Sequence, residues 1–383
     1  MLKRIKIVFL ILYLGYGGAE KALYYLVKLM DKSKFDITVF AMMAGGKMER
    51  DFEVLGVKVK HPYSQLSSVK NVMGKVVNHV RVKQIENMVA NNSENLLKAV
   101  TGEEYDLVVS YHVDSSCFAV GLPKRGKKIK YVHADCANSP SYVNDNRYLF
   151  DLKTPYDEVI CVSSVAQAGY IHQFERTDHS AVLLNPIDSE EVHQLANEQT
   201  FGFPPSTYVC ALGRLTKEKG FGRLLDVYIM LRKESFPYKL VIMGEGVESE
   251  NLVRKIKDNQ LDDAVILMKY QSNPYPIIKN SKYLIVPSYA EGLSMTAMEA
   301  ICLGVPVVST CPSVGDIFGE ESCGIITDNT DEALYQGMLD MFDDQFYLDA
   351  KRAAERRSLY FEGRSMAERA ENLYVEILNK SQS

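Results

Sequence analysis

No run of apolar residues in this 383-residue sequence approaches the roughly 18 needed to cross a bilayer. The longest candidate, Ile5 to Leu14, follows Lys3 and Arg4 and includes Lys6 near its start, in the manner of a signal peptide. It is too short for a span, lacks a small-residue cleavage site and leads directly into glycines and a helix, so it reads as a first buried strand. Paired cysteine motifs are also missing. Cys117, Cys136, Cys161, Cys210, Cys302, Cys311 and Cys323 are odd in number, scattered and never spaced Cys-x-x-Cys. That usage argues against a zinc site and for the reduced thiols of a cytoplasmic protein. Internal repeats, low-complexity segments and Arg-rich stripes interleaved with aromatics are absent as well, and with a net charge of −5 this makes nucleic acid a poor partner.

The chain is too long for one small core and suits two domains of ordinary size, with hydrophobic (46%) and charged (24%) fractions usual for a globular protein. The charge is uneven. Residues 1–185 hold 24 Lys+Arg against 19 Asp+Glu, and the remainder 20 against 30. A basic front half suits an anionic lipid surface or a phosphorylated acceptor, although scattered solvated lysines produce the same count.

Short apolar strands alternate with amphipathic helices throughout, the pattern of parallel sheets covered on both faces. The first series of predicted strands is Ile5–Leu12, Asp36–Met42, Val57–Lys60, Leu107–Ser110, Ile129–His133, Glu158–Val162 and Ala181–Leu184. The second is Tyr208–Leu212, Lys239–Met243, Val265–Leu267, Tyr283–Pro287, Val305–Ser309 and Gly324–Ile326, with helices near Phe221–Arg232, Glu250–Asn259, Ser294–Leu303 and Asp331–Met341. The expected fold is α/β, two doubly wound Rossmann-like domains, joined in the Pro-containing stretch Asn185 to Pro205. The expected boundaries are 1–187, 188–360 and a helical tail 361–383 that packs back on the first domain.

The segment Glu291 to Glu299, EGLSMTAME, carries the most chemistry. It follows a short apolar run closed by Pro287, and Gly292 permits a turn before a helix whose apolar face is Met295, Met298, Ile301 and Cys302. Free N–H groups around Leu293, Ser294 and Met295 lie at the positive end of the helix dipole, where phosphate oxygens are favoured. From Ser294 to Glu299 the helix rises roughly 7 to 8 Å, the scale of a diphosphate between a sugar and a ribose. Glu291 and Glu299 can then each accept hydrogen bonds from one end of a nucleotide sugar. A helix first turn enriched in Glu for dipole reasons alone is the plainer reading.

Arg214 and Lys219 follow the strand Tyr208–Leu212 and suit a diphosphate whose charge grows as it leaves. Gly17 and Gly18 form a loop that lets backbone approach donor phosphate or acceptor, but without Gly-x-Gly-x-x-Gly spacing and without an acid after the second strand, a nicotinamide dehydrogenase is disfavoured. Glu20 reads as a helix first-turn acid. His133 ends a strand; Asp135 either orients its ring or is solvated. Ser163 and Ser164 read as a helix cap, and Asn185 as a turn initiator or a donor contact. Val69, Val72, Met73, Val76, Val77 and Val80 form an apolar face flanked by Lys70, Lys75, Arg81 and Lys83, suited to an anionic membrane or to core packing. Lys124 to Lys128 reads as a solvated basic loop.

In order along the chain, Gly15 to Glu20, Tyr131-Val132-His133, Gly213-Arg214-Leu215 with Lys219-Gly220, and EGLSMTAME resemble the motifs of glycosyltransferase family 4. The resemblance spans nearly the whole chain and implies the GT-B fold and a retaining hexosyltransferase. It implies catalytic roles for His133, Glu291, Arg214 and Lys219, with His133 near the donor's C6 hydroxyl. Nucleotide-sugar contacts fall to Gly17, Gly18, Arg214, Lys219, Gly292, Leu293, Ser294 and Glu299. With no Asp-x-Asp at a strand end, no metal and no cofactor is expected. The expectation is transfer from a UDP-sugar to a glycan or glycolipid acceptor bound by the first domain, in cell-envelope or capsular polysaccharide synthesis, at the cytoplasmic membrane face. Lys70, Lys75, Arg81 and Lys83 form the expected acceptor or membrane face. A sugar-nucleotide epimerase, turning over without acceptor, and a non-catalytic nucleotide-binding subunit are the rival readings.

Overall fold

The computed structural model describes residues 3–61, 76, 80, 97–98, 101–111, 126–139, 156–174, 180–198 and 207–380. Lys70, Lys75, Arg81 and Lys83, Lys124 and Arg125, and Cys117 lie outside these residues, and with them Val69, Val72, Met73 and Val77 of the expected apolar face. The chain divides into two compact units, Met1–Pro186 with Met366–Ser383, and Ile187–Ser365. Among the described residues no helix is long and apolar enough to cross a membrane.

The first unit is built on a sheet of β1 (Ile5–Tyr13), β2 (Phe35–Met43), β3 (Lys58–Lys60), β4 (Leu107–Ser110), β5 (Lys127–Val132), β6 (Glu158–Cys161) and β7 (Ser180–Val182). Their order is β3-β2-β1-β4-β5-β6-β7, with neighbours parallel. β1 is central, pairing from Ile5 with Phe35 to Tyr13 with Met43 on one side and from Ile7 with Leu107 to Leu10 with Ser110 on the other. Its residues Ile7 to Ile11 are fully buried, as an unbroken apolar run between two covering layers must be. The helix Ser365–Asn379 joins this unit. Tyr374 and Tyr131 share a hydroxyl–hydroxyl bond of 2.7 Å, the Glu371 carboxylate accepts from the Asp31 N–H at 2.7 Å, and Lys380 meets Glu158 at 3.3 Å.

The second unit holds β8 (Tyr208–Leu212), β9 (Lys239–Met243), β10 (Val265–Met268), β11 (Leu284–Val286), β12 (Val307–Ser309) and β13 (Gly324–Ile326), in the order β10-β9-β8-β11-β12-β13, again parallel. The helix Phe221–Lys233 packs Leu224, Leu225, Val227, Tyr228 and Leu231 into a core with Val209, Ile242 and Ile285. Both sheets are Rossmann-like, and the fold is GT-B.

The predicted strands all form; four match end for end, and the ends of the others shift by one or two residues. Pro287 has no N–H to give a ladder, so β11 stops at Val286. One reading is corrected: Lys127 and Lys128, expected in a solvated loop, open β5. Asp157 holds them there, pairing with the Lys127 ammonium at 2.9 Å and accepting from the Lys128 N–H at 2.7 Å.

Candidate functional site

In the second unit the strand order reverses between β8 and β11. Crevices at the carboxyl ends of strands on either side of such a reversal are where open α/β sheets take their ligands. The chain leaves β8 through Gly213-Arg214-Leu215 and makes a short 3₁₀ turn, Lys217–Lys219. It enters the helix Phe221–Lys233 at Gly220, whose φ is +68°. Only glycine suits this position, because the left-handed backbone also brings an added Cβ into the Pro287 carbonyl oxygen. The turn bearing Lys219 is thereby seated directly on the strand end leading to Glu291.

Leaving β11, the chain runs through Pro287 to Leu293 and starts the helix Met295–Cys302, capped by Ser294. The Ser294 hydroxyl accepts from the Ala297 N–H at 3.3 Å. The Met295 and Thr296 N–H groups, also in the first turn, have no intrahelical carbonyl four residues earlier to meet. The helix closes as its glycine signal predicts: Gly304, at φ +67°, donates to Ile301, and Val305 to Ala300, both at 2.9 Å.

Lys219 and Glu291, which the sequence reading aimed separately at diphosphate and sugar, meet each other. The Lys219 Nζ donates to Glu291 Oε1 at 2.6 Å, and their side chains are 22% and 13% exposed. Ser288 donates its hydroxyl to the same oxygen at 2.8 Å, and the Tyr289 N–H donates to the Glu218 carbonyl at 2.8 Å. The β8 and β11 loops are thus zipped across the reversal by two bonds separated by 71 and 72 residues of sequence. Sequence reasoning missed Ser288, although its position three residues before Glu291, just past the closing proline, was a usable signal.

Arg214 is exposed on the same rim. Glu299, one and a half turns into its helix, is only 2% exposed. Two thiols lie under the carboxylates. Burial, and then the Glu299 charge, pushes Cys302 up to about 12; burial, and then the Glu291 charge, does the same for Cys311. Cys311 donates its S–H to the Ser288 carbonyl at 3.2 Å. Such thiols stay protonated near neutrality and are poor nucleophiles.

The first unit carries the other predicted residues, also at carboxyl ends of strands. Gly17 caps the helix Gly18–Leu29, and the Glu20 carboxylate folds back against Gly17 from the first turn. His133 directly follows β5, its ring stacked on Tyr131 (5.7 Å between centroids, 17°) and tilted against Tyr111 (4.8 Å). Asp135 overturns the solvated alternative. It is buried and caps its own turn, accepting from the Ala137 and Asn138 N–H groups at 3.2 Å and from the Asn138 side chain at 2.8 Å. Ser163 is a cap, accepting from the Ala166 N–H at 3.0 Å, and Asn185 is buried where the first unit ends.

Residues 196–358 match the family model for glycosyl transferases group 1. The chain is 27% identical over 250 residues, 62% of its own length and 67% of the relative's, to an N-acetylgalactosamine-N,N'-diacetylbacillosaminyl-diphospho-undecaprenol 4-alpha-N-acetylgalactosaminyltransferase of Campylobacter jejuni. It is 24% identical, over 98% of its length and 99% of the relative's, to a second enzyme of that organism, named as an alpha-1,4-N-acetyl-D-galactosaminyltransferase acting on GalNAc-alpha-(1->4)-GalNAc-alpha-(1->3)-diNAcBac-PP-undecaprenol. Against four other curated relatives the chain spans between 37% and 51% of their length, and against a lipopolysaccharide 1,6-galactosyltransferase of Salmonella typhimurium, at 23% identity, it spans 77%. Among solved structures, Anabaena Alr3699/HepE in complex with UDP superposes with a TM-score of 0.72 at 18% identity, over 97% of this chain and 100% of that one. The matched segment, the named relatives and the two-sheet fold together support a glycosyltransferase of GT-B fold.

Proposed function

We propose that this protein transfers a sugar from a UDP-sugar to a glycan or lipid-linked acceptor with retention of configuration, at the cytoplasmic face of a cell envelope. One observation carries the reading: a cation, a carboxylate and an uncommitted helix N-terminus converge where the strand order of the second unit reverses. The UDP named with the Anabaena structure and the diphospho-undecaprenol named for the Campylobacter enzymes support the donor and acceptor classes.

Bond cleavage places growing negative charge on the diphosphate. Arg214, Lys219 and the first-turn N–H groups at Ser294 to Thr296 stabilise it, the role a divalent ion fills elsewhere, so no metal is required. Glu291 orients the donor sugar and forms no sugar ester, and Glu299 accepts from the ribose. His133 supplies a hydrogen bond to the sugar, and Gly17 and Gly18 let backbone close on donor or acceptor. With the buried thiols protonated, departure and attack take place on one face through an ion-pair-like transition state.

The test is a panel of nucleotide sugars incubated with and without undecaprenyl-diphosphate-linked saccharides. Product with an unchanged anomeric configuration is the expected result. Donor conversion that needs no acceptor supports an epimerase instead, and UDP binding with no turnover across the panel supports a non-catalytic subunit.

A further inference from the structure

The helix Phe221–Lys233 buries an arginine. Arg223 is 4% exposed, among buried neighbours on the helix that are otherwise phenylalanine, leucine, valine and tyrosine. Its Nε donates to the Pro287 carbonyl at 2.8 Å and its Nη2 to the Ser288 carbonyl at 3.1 Å. The same Nη2 donates to the Thr310 hydroxyl at 2.6 Å, and Nη1 to the Asn329 side-chain oxygen at 2.7 Å. The Tyr289 ring lies 4.1 Å from the guanidinium, half exposed on its other face. Asn329 in turn donates to the Tyr289 carbonyl at 2.6 Å.

These acceptors follow the carboxyl ends of β11, β12 and β13, so one guanidinium ties three neighbouring strand ends together. All four oxygens are uncharged. A buried arginine forking onto neutral oxygens is an expensive way to secure a core, because water is given up by a full charge. What the arrangement does achieve is geometric. The Pro287 carbonyl that receives the Arg223 Nε is the one against which Gly220 is seated, and Ser288, whose carbonyl Arg223 also holds, is the residue that bonds Glu291. Both halves of the Lys219–Glu291 pair therefore hang from a segment that Arg223 fixes.

We infer that Arg223 is a positioning residue that sets the relative placement of Lys219 and Glu291 by locking Pro287 to Tyr289 against the neighbouring strand ends. It touches neither the donor nor the reacting atoms. A planar fork with five N–H donors can hold four oxygens at once, which lysine cannot. The consequence for turnover rests on the transferase reading above; the consequence for geometry does not.

The experiment compares Arg223→Lys and Arg223→Met with Leu231→Val, a control on the same helix that trims a fully buried side chain away from the loop. Thermal unfolding grades their stabilities. Lysines are then reductively methylated with ¹³C-formaldehyde, and the Lys219 resonance is assigned with Lys219→Arg. The Lys219 signal is expected to move toward its position in Glu291→Gln when Arg223 is Met, to move part of the way with Lys, and to stay in place in Leu231→Val. With a turnover substrate, kcat/KM falls at least tenfold in Arg223→Met, partly recovers in Arg223→Lys, and holds within twofold in the control. A Lys219 signal unmoved in both Arg223 variants, or moved equally in the control, overturns the inference. If wild type converts no donor, the transferase reading fails while the resonance still decides the role of Arg223.

Discussion

Breaking the Lys219–Glu291 contact separates what the pair contributes to the fold from what it contributes to a ligand. The perturbation is a double-mutant cycle of Lys219→Met, Glu291→Gln and both together. The pair is short, 2.6 Å, but neither solvent-exposed nor sealed, at 22% and 13% side-chain exposure. Exposed pairs couple by about 0.2 to 1 kcal/mol and hydrogen bonds to charged groups by about 1.5 to 3 kcal/mol, so a coupling of about 1 to 2 kcal/mol is expected between these limits. Glutamine keeps the Ser288 bond, which limits the side effects of that substitution. Urea unfolding at low ionic strength measures the cycle, and calorimetry with UDP follows. A diphosphate competes with Glu291 for Lys219, so Lys219→Met is expected to weaken UDP binding while Glu291→Gln leaves it unchanged or tightens it by up to the coupling energy, about tenfold for each 1.4 kcal/mol. Saturating UDP is then expected to shrink the coupling. A coupling under about 0.3 kcal/mol, well below the range for charged hydrogen bonds, or UDP affinity lost equally in both single variants, refutes the competition.

Glu299→Gln keeps the volume of a buried side chain but loses its charge, and weakens UDP binding by about 1.5 to 3 kcal/mol if a ribose diol is its partner; calorimetry with an unchanged affinity removes that assignment. Arg214→Ala lowers turnover by roughly 2.7 to 4 kcal/mol of barrier, and EDTA leaves the wild-type rate unchanged; loss of activity to EDTA with recovery on adding manganese overturns metal independence. Burial pushes Cys136, Cys161, Cys210, Cys302, Cys311 and Cys323 up to about 12, so at pH 8 about one in 10⁴ of each is thiolate, and native protein is expected to show at most one fast thiol with Ellman's reagent. Val76 and Val80, one helical turn apart, are 55% and 48% exposed. Co-sedimentation with phosphatidylglycerol vesicles at low salt is therefore expected, each flanking cation adding about 1 kcal/mol, and its persistence in a folded Lys70→Glu, Lys75→Glu, Arg81→Glu variant excludes that face.

The strands were legible because a parallel strand buried on both faces must be a short apolar run, and its end is marked by a residue that cannot continue the ladder. Pro287 is such a mark, and Gly304 marks the end of the helix that follows in the same way. The helix N-terminus at Ser294 and the two glutamates were legible for the same local reason: strand, glycine turn and capped helix follow one another within a dozen residues. Asp135 was less so, since a carboxylate two residues after a histidine serves its own turn as readily as the ring.

What linear reading could not supply is adjacency. Lys219 and Glu291 are 72 residues apart and meet only because β11 returns to pair beside β8, on the side opposite β9. A sheet with β11 placed beyond β10 would carry the same motifs and hold them two strands apart. Arg223 depends on adjacency more strongly still, because its partners follow β11, β12 and β13 in turn. Its signal in the sequence is a charge on the apolar face of a helix, which marks that a polar partner must exist without saying where. A site at a reversal of strand order thus divides into residues set by their own loop, readable one motif at a time, and residues that hold those loops to one another, which become readable only when the order of the strands is known.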